Sequence, residues 1–413
     1  MKGIRQAIVL AGGRGARLGV LTAYTPKPML PIQGRPFLEF VIWNLKRHGI
    51  RDIVLSVGYL SKTIENHFGD GSRFGVTIRY CREEPPAGTG GAVKLAREML
   101  DDHFLVLNGD TLFDVNYLDL ILTSPGGAAA MIALRHVPDT TRFGRVQLDG
   151  LRIDGYGEKT TPGAGDINGG VYYLSRDAID LLPPGTSSLE ADLFPLLCQR
   201  GLLHGKRFNG FFLDIGIPEA YERSQITIPM WQTRPTVFLD RDGVINVDHG
   251  YVHCPEQFEW IRGAKQAIRK LNDQRYLVVI VTNQAGIGRG YYTERVFFEL
   301  MNWVQIELGK CGAHFDAVYH CPCHPEMGIG QYRRQSTFRK PGPGMILKAI
   351  QEWPIDRATS FMIGDSETDH LAAVRAGIDY YDFHEPNLET YLDRILSERL
   401  TPATNFSTDR VAG

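Results

Sequence analysis

The chain has 413 residues, enough for two or three domains and too many for a single small binding module. Lys and Arg number 45 against 47 Asp and Glu, a formal charge of -2, which excludes a globally basic surface for nucleic acid or an anionic membrane. Six cysteines are too few for a disulfide scaffold, and no apolar run approaches the ~18 residues of a membrane span, so the sequence reads as a soluble cytoplasmic protein with free thiols and no signal peptide.

From Ala7 to about Ile228, short apolar runs alternate with amphipathic stretches, the habit of βαβ units and a largely parallel sheet. Ile8 to Leu10 reads as a first strand that ends in a glycine turn. Pro36 opens a helix with Phe37, Leu38, Val41, Ile42 and Leu45 at helical spacing, closed by Gly49. Ile53 to Val57 is the next strand, and Phe104 to Leu107 runs into Asn108-Gly109-Asp110, placing a carboxylate at a sheet edge where open α/β folds bind ligands. Prolines flanking a polar segment mark residues 230–235 as a linker, so the first domain is expected over 1–229. A second α/β series spans 236–400, with strands Thr236–Leu239, Leu277–Val281 and Phe361–Ile363 ending at Asp240, Thr282 and Gly364-Asp365. Residues 401–413 read as a polar tail. The halves are not repeats, since their motifs differ.

Leu10-Ala11-Gly12-Gly13-Arg14-Gly15-Ala16-Arg17-Leu18 sets a glycine-rich turn after a strand, where backbone N–H groups can face a phosphate chain. No Gly-Lys-Ser/Thr follows, which excludes a Walker loop, and Leu18 stands where a dinucleotide turn needs its third glycine. Lys27, stiffened between Pro26 and Pro28, is a cation suited to a leaving pyrophosphate. Together with Glu84, Gly88-Thr89-Gly90-Gly91, Asn108-Gly109-Asp110, Glu158-Lys159, Asn168-Gly169-Gly170 and Asp214, this set resembles the sugar-1-phosphate nucleotidylyltransferases over about the first 230 residues. The resemblance implies a Rossmann-like nucleotidyltransferase fold. It further implies that residues 10–15 hold the triphosphate, Arg17 and Lys27 stabilise the α-phosphate and pyrophosphate, and Asp110 and Asp214 ligate Mg²⁺. Glu84, Gly88, Thr89 and Gly90 would lie against the nucleotide, and Asn108, Glu158, Lys159, Asn168 and Gly169 against the sugar phosphate. An in-line attack on the α-phosphorus needs this charge neutralisation and little covalent help.

In the second half, Asp240-Arg241-Asp242-Gly243 puts two carboxylates two residues apart at a strand end, where they can converge on one phosphoryl group and one metal. An EF-hand is excluded because Val244 and Ile245 occupy a ligand position and the glycine position. With Thr282-Asn283, Arg339-Lys340-Pro341 and Gly364-Asp365-Ser366-Glu367-Thr368-Asp369 following in order, the region resembles the haloacid dehalogenase superfamily, and within it the D-glycero-D-manno-heptose 1,7-bisphosphate phosphatases, with histidinol-phosphate phosphatases close by. The resemblance implies a capless fold with Asp240 as nucleophile and Asp242 as general acid and base. Mg²⁺ would be held by Asp240, the Asp242 carbonyl and Asp365, supported by Asp369. Thr282 and Lys340 would bind the phosphoryl group, and His249, Tyr251, Asn283, Gln284 and Arg339 the rest of the substrate.

That branch often carries a structural zinc before the lysine motif. Here Cys321-Pro322-Cys323-His324 keeps a first ligand pair, while Ser336 and Phe338 stand where the second would fall. Three ligands do not close a structural site, so the loop reads as metal-free, with zinc on Cys321 and Cys323, aided by His320, as the alternative. A phosphatase fused to a nucleotidylyltransferase suggests consecutive steps. The 7-phosphate of a heptose 1,7-bisphosphate is removed, and the heptose 1-phosphate then attacks an NTP, with GTP indicated by likeness to the heptose and mannose guanylyltransferases. Two other readings stay open: a mannose-1-phosphate guanylyltransferase-like enzyme fused to a histidinol-phosphate-like phosphatase, and a regulatory relic in either half. Retention of Lys27, Asp110, Asp214, Asp240, Asp242, Lys340 and Asp365 argues against the relic. All partners are small molecules, with neither nucleic acid nor membrane among them.

Overall fold

The computed structural model describes residues 5–141, 144–156 and 163–400, so the tail expected over 401–413 lies outside the described residues, as do Glu158 and Lys159. The chain divides into two compact units, Met1–Thr233 and Arg234–Gly413. No helix among the described residues is long and apolar enough to cross a membrane.

The first unit is built on a nine-stranded sheet. Thr77–Arg82, Asp52–Val57, Gln6–Leu10 and His103–Asn108 lie side by side and parallel, each return made through a helix or a turn of helix. Beyond them the expected parallel order breaks down. Gly165–Ser175 runs antiparallel between His103–Asn108 and Ala130–Val137, because Arg145–Asp149 and Arg152–Tyr156 form a tight hairpin where a crossover helix would be needed to keep the strands parallel. Alternate residues of the central strand serve opposite faces. Ala7 and Val9 pack with Phe37, Val41 and Leu45 of the helix Phe37–Arg47, whereas Ile8 packs with Val93, Leu189 and Phe194. Each fully buried Val, Leu, Ile or Phe side chain among these contributes about 1.5–3 kcal/mol.

Segment 230–235, expected as a polar linker, is instead built into the units. Met230–Gln232 complete the helix Pro218–Gln232, with Pro229 inside it, and Trp231 meets Trp43 edge-on at 5.4 Å between ring centroids. Arg234 is 2% exposed and its amide donates to the Pro354 carbonyl at 3.0 Å. Two prolines and a polar run mimic a linker in sequence, but burial of the indole and of the guanidinium leaves no solvated stretch.

The second unit carries a five-stranded, all-parallel sheet in the order Ala317–Cys321, Leu277–Asn283, Thr236–Leu239, Phe361–Gly364, Asp379–Asp382. Val237, Leu239, Val278 and Ile280 face Ile268, Leu300 and Val304 on one side, and Phe238, Val279, Val281 and Met362 face Ile346, Ala349 and Ala373 on the other. The three central strands end at Leu239, just before Asp240, at Asn283 and at Gly364, which puts the second set of polar residues at one sheet edge.

Candidate active sites

In the first unit a two-stranded ribbon makes the site. Thr111–Phe113 pairs antiparallel with Phe212–Asp214, Asp214 opposite Thr111, so acids 104 positions apart in sequence become neighbours. Lys27 is 6% exposed; its Nζ forms a short ion pair with Asp110 Oδ2 and lies 3.9 Å from Asp214 Oδ1. The Gly216 amide donates to Asp214 Oδ1 at 2.6 Å. Burial raises the Asp214 carboxyl above its ordinary range, and the negative charge of Asp110 adds to this, while Lys27 and the exposed Arg17 pull the other way. Two half-buried carboxylates that must share one ammonium form a donor set suited to a divalent cation.

The glycine turn follows Leu10, with the Ala11 amide donating to the Ser56 carbonyl at 2.8 Å and Gly13 and Arg14 exposed. The acid that lies against this turn is Glu83, not Glu84. Glu84 is exposed, whereas Glu83 is buried, accepts from Ser56 Oγ at 2.7 Å and sits so close that a Cβ on Gly12 would meet its Oε1 at 2.4 Å. Two adjacent glutamates carry no signal of which one turns inward; only the strand's pleat decides. Gly88, Thr89 and Gly90 lie against the 185–190 segment. The Gly90 and Gly91 amides donate to the Ser187 carbonyl at 2.9 and 3.2 Å, and the Thr89 hydroxyl donates to Glu190 at 2.7 Å. A Cβ on Gly88 would lie 2.4 Å from the Ser187 carbonyl oxygen, so this run is glycine-rich to admit the 185–190 segment.

At the sugar end, Asn168 Nδ2 donates to the Tyr156 and Tyr172 hydroxyls at 3.0 Å each, and its Oδ1 accepts the Gly170 amide at 2.9 Å. Gly169 packs on Phe113, whose ring would lie 2.4 Å from a Cβ there. Asn108 borders this region: a Cβ on Gly170 would meet its Nδ2 at 2.9 Å, and its buried Oδ1 has no hydrogen-bond partner among the described residues.

In the second unit a cavity of about 470 Å³ opens over the sheet edge, lined by Asp240, Asp242, Asp248, Tyr251, Lys340 and Asp365 among others. Lys340 is 3% exposed, and its Nζ lies 2.8 Å from Asp240 Oδ2 and 2.5 Å from Asp369 Oδ1 while donating to the Val281 carbonyl at 3.1 Å. Oxygens of Asp240, Asp365 and Asp369 lie within 4.8 Å of one another, the one such cluster among the described residues. The fit to a divalent cation is good, with Asp369 rather than the Asp242 side chain as third carboxylate. Burial pushes the Asp240 carboxyl up to about 8 against the pull of Lys340, and burial followed by the charge of Asp369 raises Asp365. Lys340, facing two carboxylates, is held above the usual lysine range although burial opposes this. Gly243 has φ +84°, and a Cβ there would stand 1.8 Å from Asp365 Oδ2, so only glycine admits this cluster.

Asp242 is gripped by a fully buried guanidinium. Arg241 Nε and Nη2 reach both its oxygens at 2.7–3.1 Å, with Asn246 Nδ2 at 3.0 Å and Gln284 Nε2 at 3.2 Å. Gln284, expected against substrate, borders the cavity but is 2% exposed and spends its amide on the wall: Nε2 also donates to Thr282 Oγ1 at 2.9 Å, and Oε1 accepts from the Tyr292 hydroxyl at 2.6 Å. Asn283 likewise holds the lysine loop, pairing with both the amide and the carbonyl of Lys340 at 3.0 and 3.1 Å. His249 lies outside the cavity lining. Its Nε2 turns to Glu259 at 2.9 Å, and its neighbours Asp248 and Gly250 line the cavity instead. Tyr251 and Arg339 do line it, and Arg339 Nη1 donates to the Cys323 carbonyl at 3.2 Å. Arg241 and Tyr292 leave no mark in the sequence, since an arginine between two aspartates reads as a surface residue until its burial is known.

Cys321 and Cys323 are both buried, but Cys323 Sγ receives Arg334 Nε at 3.4 Å and Cys321 neighbours Ser336. The two thiols and His324 form no converging ligand set among the described residues.

Residues 6–228 match the nucleotidyl transferase family, and residues 337–381 match the HAD-hydrolase-like family. The second half is 49% identical over 145 residues to the D-glycero-beta-D-manno-heptose-1,7-bisphosphate 7-phosphatase of Vibrio cholerae, covering 35% of this chain and 78% of that protein. It is also 49% identical over 142 residues to the D-glycero-alpha-D-manno-heptose-1,7-bisphosphate 7-phosphatase of Burkholderia mallei, covering 34% of this chain and 75% of that protein. Among solved structures, HddC from Yersinia pseudotuberculosis, also solved in complex with GMP-PN, is 32% identical with a TM-score of 0.50, and the match covers 55% of this chain and all of that one.

Proposed function

This chain belongs to the nucleotidyl transferase family through its first unit and to the heptose-bisphosphate phosphatases of the haloacid dehalogenase type through its second, and from that membership we propose a bifunctional enzyme of NDP-heptose synthesis. The second unit hydrolyses the 7-phosphate of D-glycero-D-manno-heptose 1,7-bisphosphate. The first then joins the heptose 1-phosphate to GMP from GTP, releasing pyrophosphate. The observation that carries the reading is the presence, on one chain, of a buried Asp240–Lys340 pair beside Asp365 and Asp369 and of Lys27 between Asp110 and Asp214. GTP is supported by the likeness to a protein that has been solved with GMP-PN.

In the phosphatase, Asp240 attacks the 7-phosphorus and Asp242 gives a proton to the departing sugar oxygen, then takes one from the water that hydrolyses the aspartyl-phosphate. Lys340 and Thr282 hold the phosphoryl oxygens. Asp242 reaches the substrate from its seat on Arg241, Asn246 and Gln284, which orient it in the resting enzyme. In the transferase, the 1-phosphate oxygen attacks the α-phosphorus in line, Arg17 and Lys27 offset the charge of the leaving pyrophosphate, and Asn168 and Asn108 hold the sugar side. Asp240, Asp365 and Asp369 in one unit, and Asp110 and Asp214 in the other, would hold Mg²⁺, which would supply charge neutralisation at the reacting phosphate. The enzyme works in the cytoplasm on small molecules, with no structural zinc in the 321–338 loop.

The test is a matrix of sugar phosphates, both anomers of the heptose included, against GTP, ATP, CTP, UTP and dTTP, scoring phosphate and pyrophosphate separately. Phosphate is expected from the heptose bisphosphate without nucleotide, and pyrophosphate from heptose 1-phosphate with GTP. Silence with every heptose phosphate would defeat the substrate assignment.

A further inference from the structure

One carboxylate links the glycine-rich run at 88–91 to the turn at Asn168–Gly170. Glu190, half-buried in the turn Leu189–Leu193, accepts through Oε2 from the Thr89 hydroxyl at 2.7 Å and the Ser188 hydroxyl at 2.9 Å, and through Oε1 from the Tyr172 hydroxyl at 3.2 Å. Thr89 Oγ1 itself accepts the Leu189 amide at 2.9 Å, so its one proton is committed to Glu190. Tyr172 is fully buried, and burial together with the nearby carboxylate keeps its phenol protonated far above the ordinary tyrosine range.

The direction of each hydrogen bond beyond that point follows. Tyr172 gives its proton to Glu190, so its oxygen is left to accept, and Asn168 must present its NH₂ there rather than its carbonyl. The second amide proton of Asn168 goes to the Tyr156 oxygen, and its Oδ1 takes the Gly170 amide. Tyr156, its oxygen occupied by Asn168, has its own proton directed away from that amide. A single charge thus sets the orientation of three polar side chains, two on the long strand Gly165–Ser175 that borders the site and one at the end of the strand Arg152–Tyr156.

We propose that Glu190 is the positioning residue of the sugar-phosphate side of the transferase, tying the 88–91 segment to the sugar-facing turn through Thr89 and setting Asn168 and Tyr156 as oriented hydrogen-bonding groups for a sugar 1-phosphate through Tyr172. The inference rests on the reading of residues 6–228 as a sugar-1-phosphate nucleotidyl transferase. It predicts a split that a merely structural residue would not produce. In the full chain, with sugar 1-phosphate and GTP varied separately, E190A raises KM for the sugar phosphate about tenfold while KM for GTP stays within about twofold. E190Q, which keeps an acceptor for Tyr172, recovers part of the loss. Y172F, which removes one oxygen and no packing volume, raises the same constant roughly threefold and carries the test if E190A folds poorly.

An equal rise in both KM values, or unchanged sugar KM in Y172F, overturns the inference while leaving the transferase reading intact. A wild-type chain that makes no sugar nucleotide from any sugar 1-phosphate sinks that reading and this inference with it.

Discussion

Both units seat a lysine between two aspartates, yet the two lysines live in different media. Around Lys27 the partner carboxylates keep 33% and 24% of their side-chain surface in solvent, whereas around Lys340 they keep 12% and 0%. The chemistry proposed for each accounts for the difference. Nucleotidyl transfer passes through no covalent enzyme intermediate and must admit a triphosphate, so an open ribbon that offers charge suffices. An aspartyl nucleophile must instead be desolvated enough to attack and guarded enough that only one water follows, which a closed sheet edge provides. The contrast also explains why positioning residues multiply in the second unit: Arg241, Asn246 and Gln284 converge on Asp242, Gln284 also reaches Thr282, and Tyr292 holds Gln284.

The largest expected effect comes from removing Asp240, the proposed nucleophile. D240N is expected to cut phosphate release by about a thousandfold or more while leaving pyrophosphate release from GTP unchanged. Loss of both activities together would mean that the two sites do not divide the work in this way. K27A is expected to lower pyrophosphate release about a hundredfold and leave phosphate release intact, read from the same paired assays. A smaller loss than in a matched R17A protein would shift the main electrostatic role to the exposed arginine.

The buried cluster should betray its medium through pH. With the Asp240 carboxyl raised to about 8, a cation must displace a proton below that pH, so the Mg²⁺ concentration for half-maximal phosphate release should rise as the pH falls below 8, by up to about tenfold per unit. The same shift makes the metal-free second unit lose stability as the pH rises from about 4 toward 8, since the unfolded carboxyl ionises first. Thermal unfolding in chelator across that range checks the sign, and a curve that rises with pH would contradict it. The subtlest contrast concerns the wall behind the nucleophile. Y292F frees Gln284 to turn and is expected to lower kcat for phosphate release roughly threefold, with KM little changed and the transferase unaffected. A change confined to KM would instead assign Tyr292 to substrate binding.

Local pattern was enough for the elements and the reacting groups. Strand ends at Leu10, Leu239 and Gly364, the helix after Pro36, and the lysines and aspartates of both sites are legible because an apolar run, a glycine turn and a clustered charge each leave a mark within a few residues. What neighbours do to those groups left no such mark. That Glu83 rather than Glu84 meets the glycine turn, that His249 turns away to Glu259, that Thr89 answers to Glu190 and that Gln284 supports the wall are outcomes of strand pleat, hairpin direction and burial, which bring together residues as far apart as Thr89 and Glu190. The chain alone determined two phosphate-handling units with their lysines and acids; only the tertiary structure decided which polar atoms are free for substrate, because that depends on which partners have already taken them.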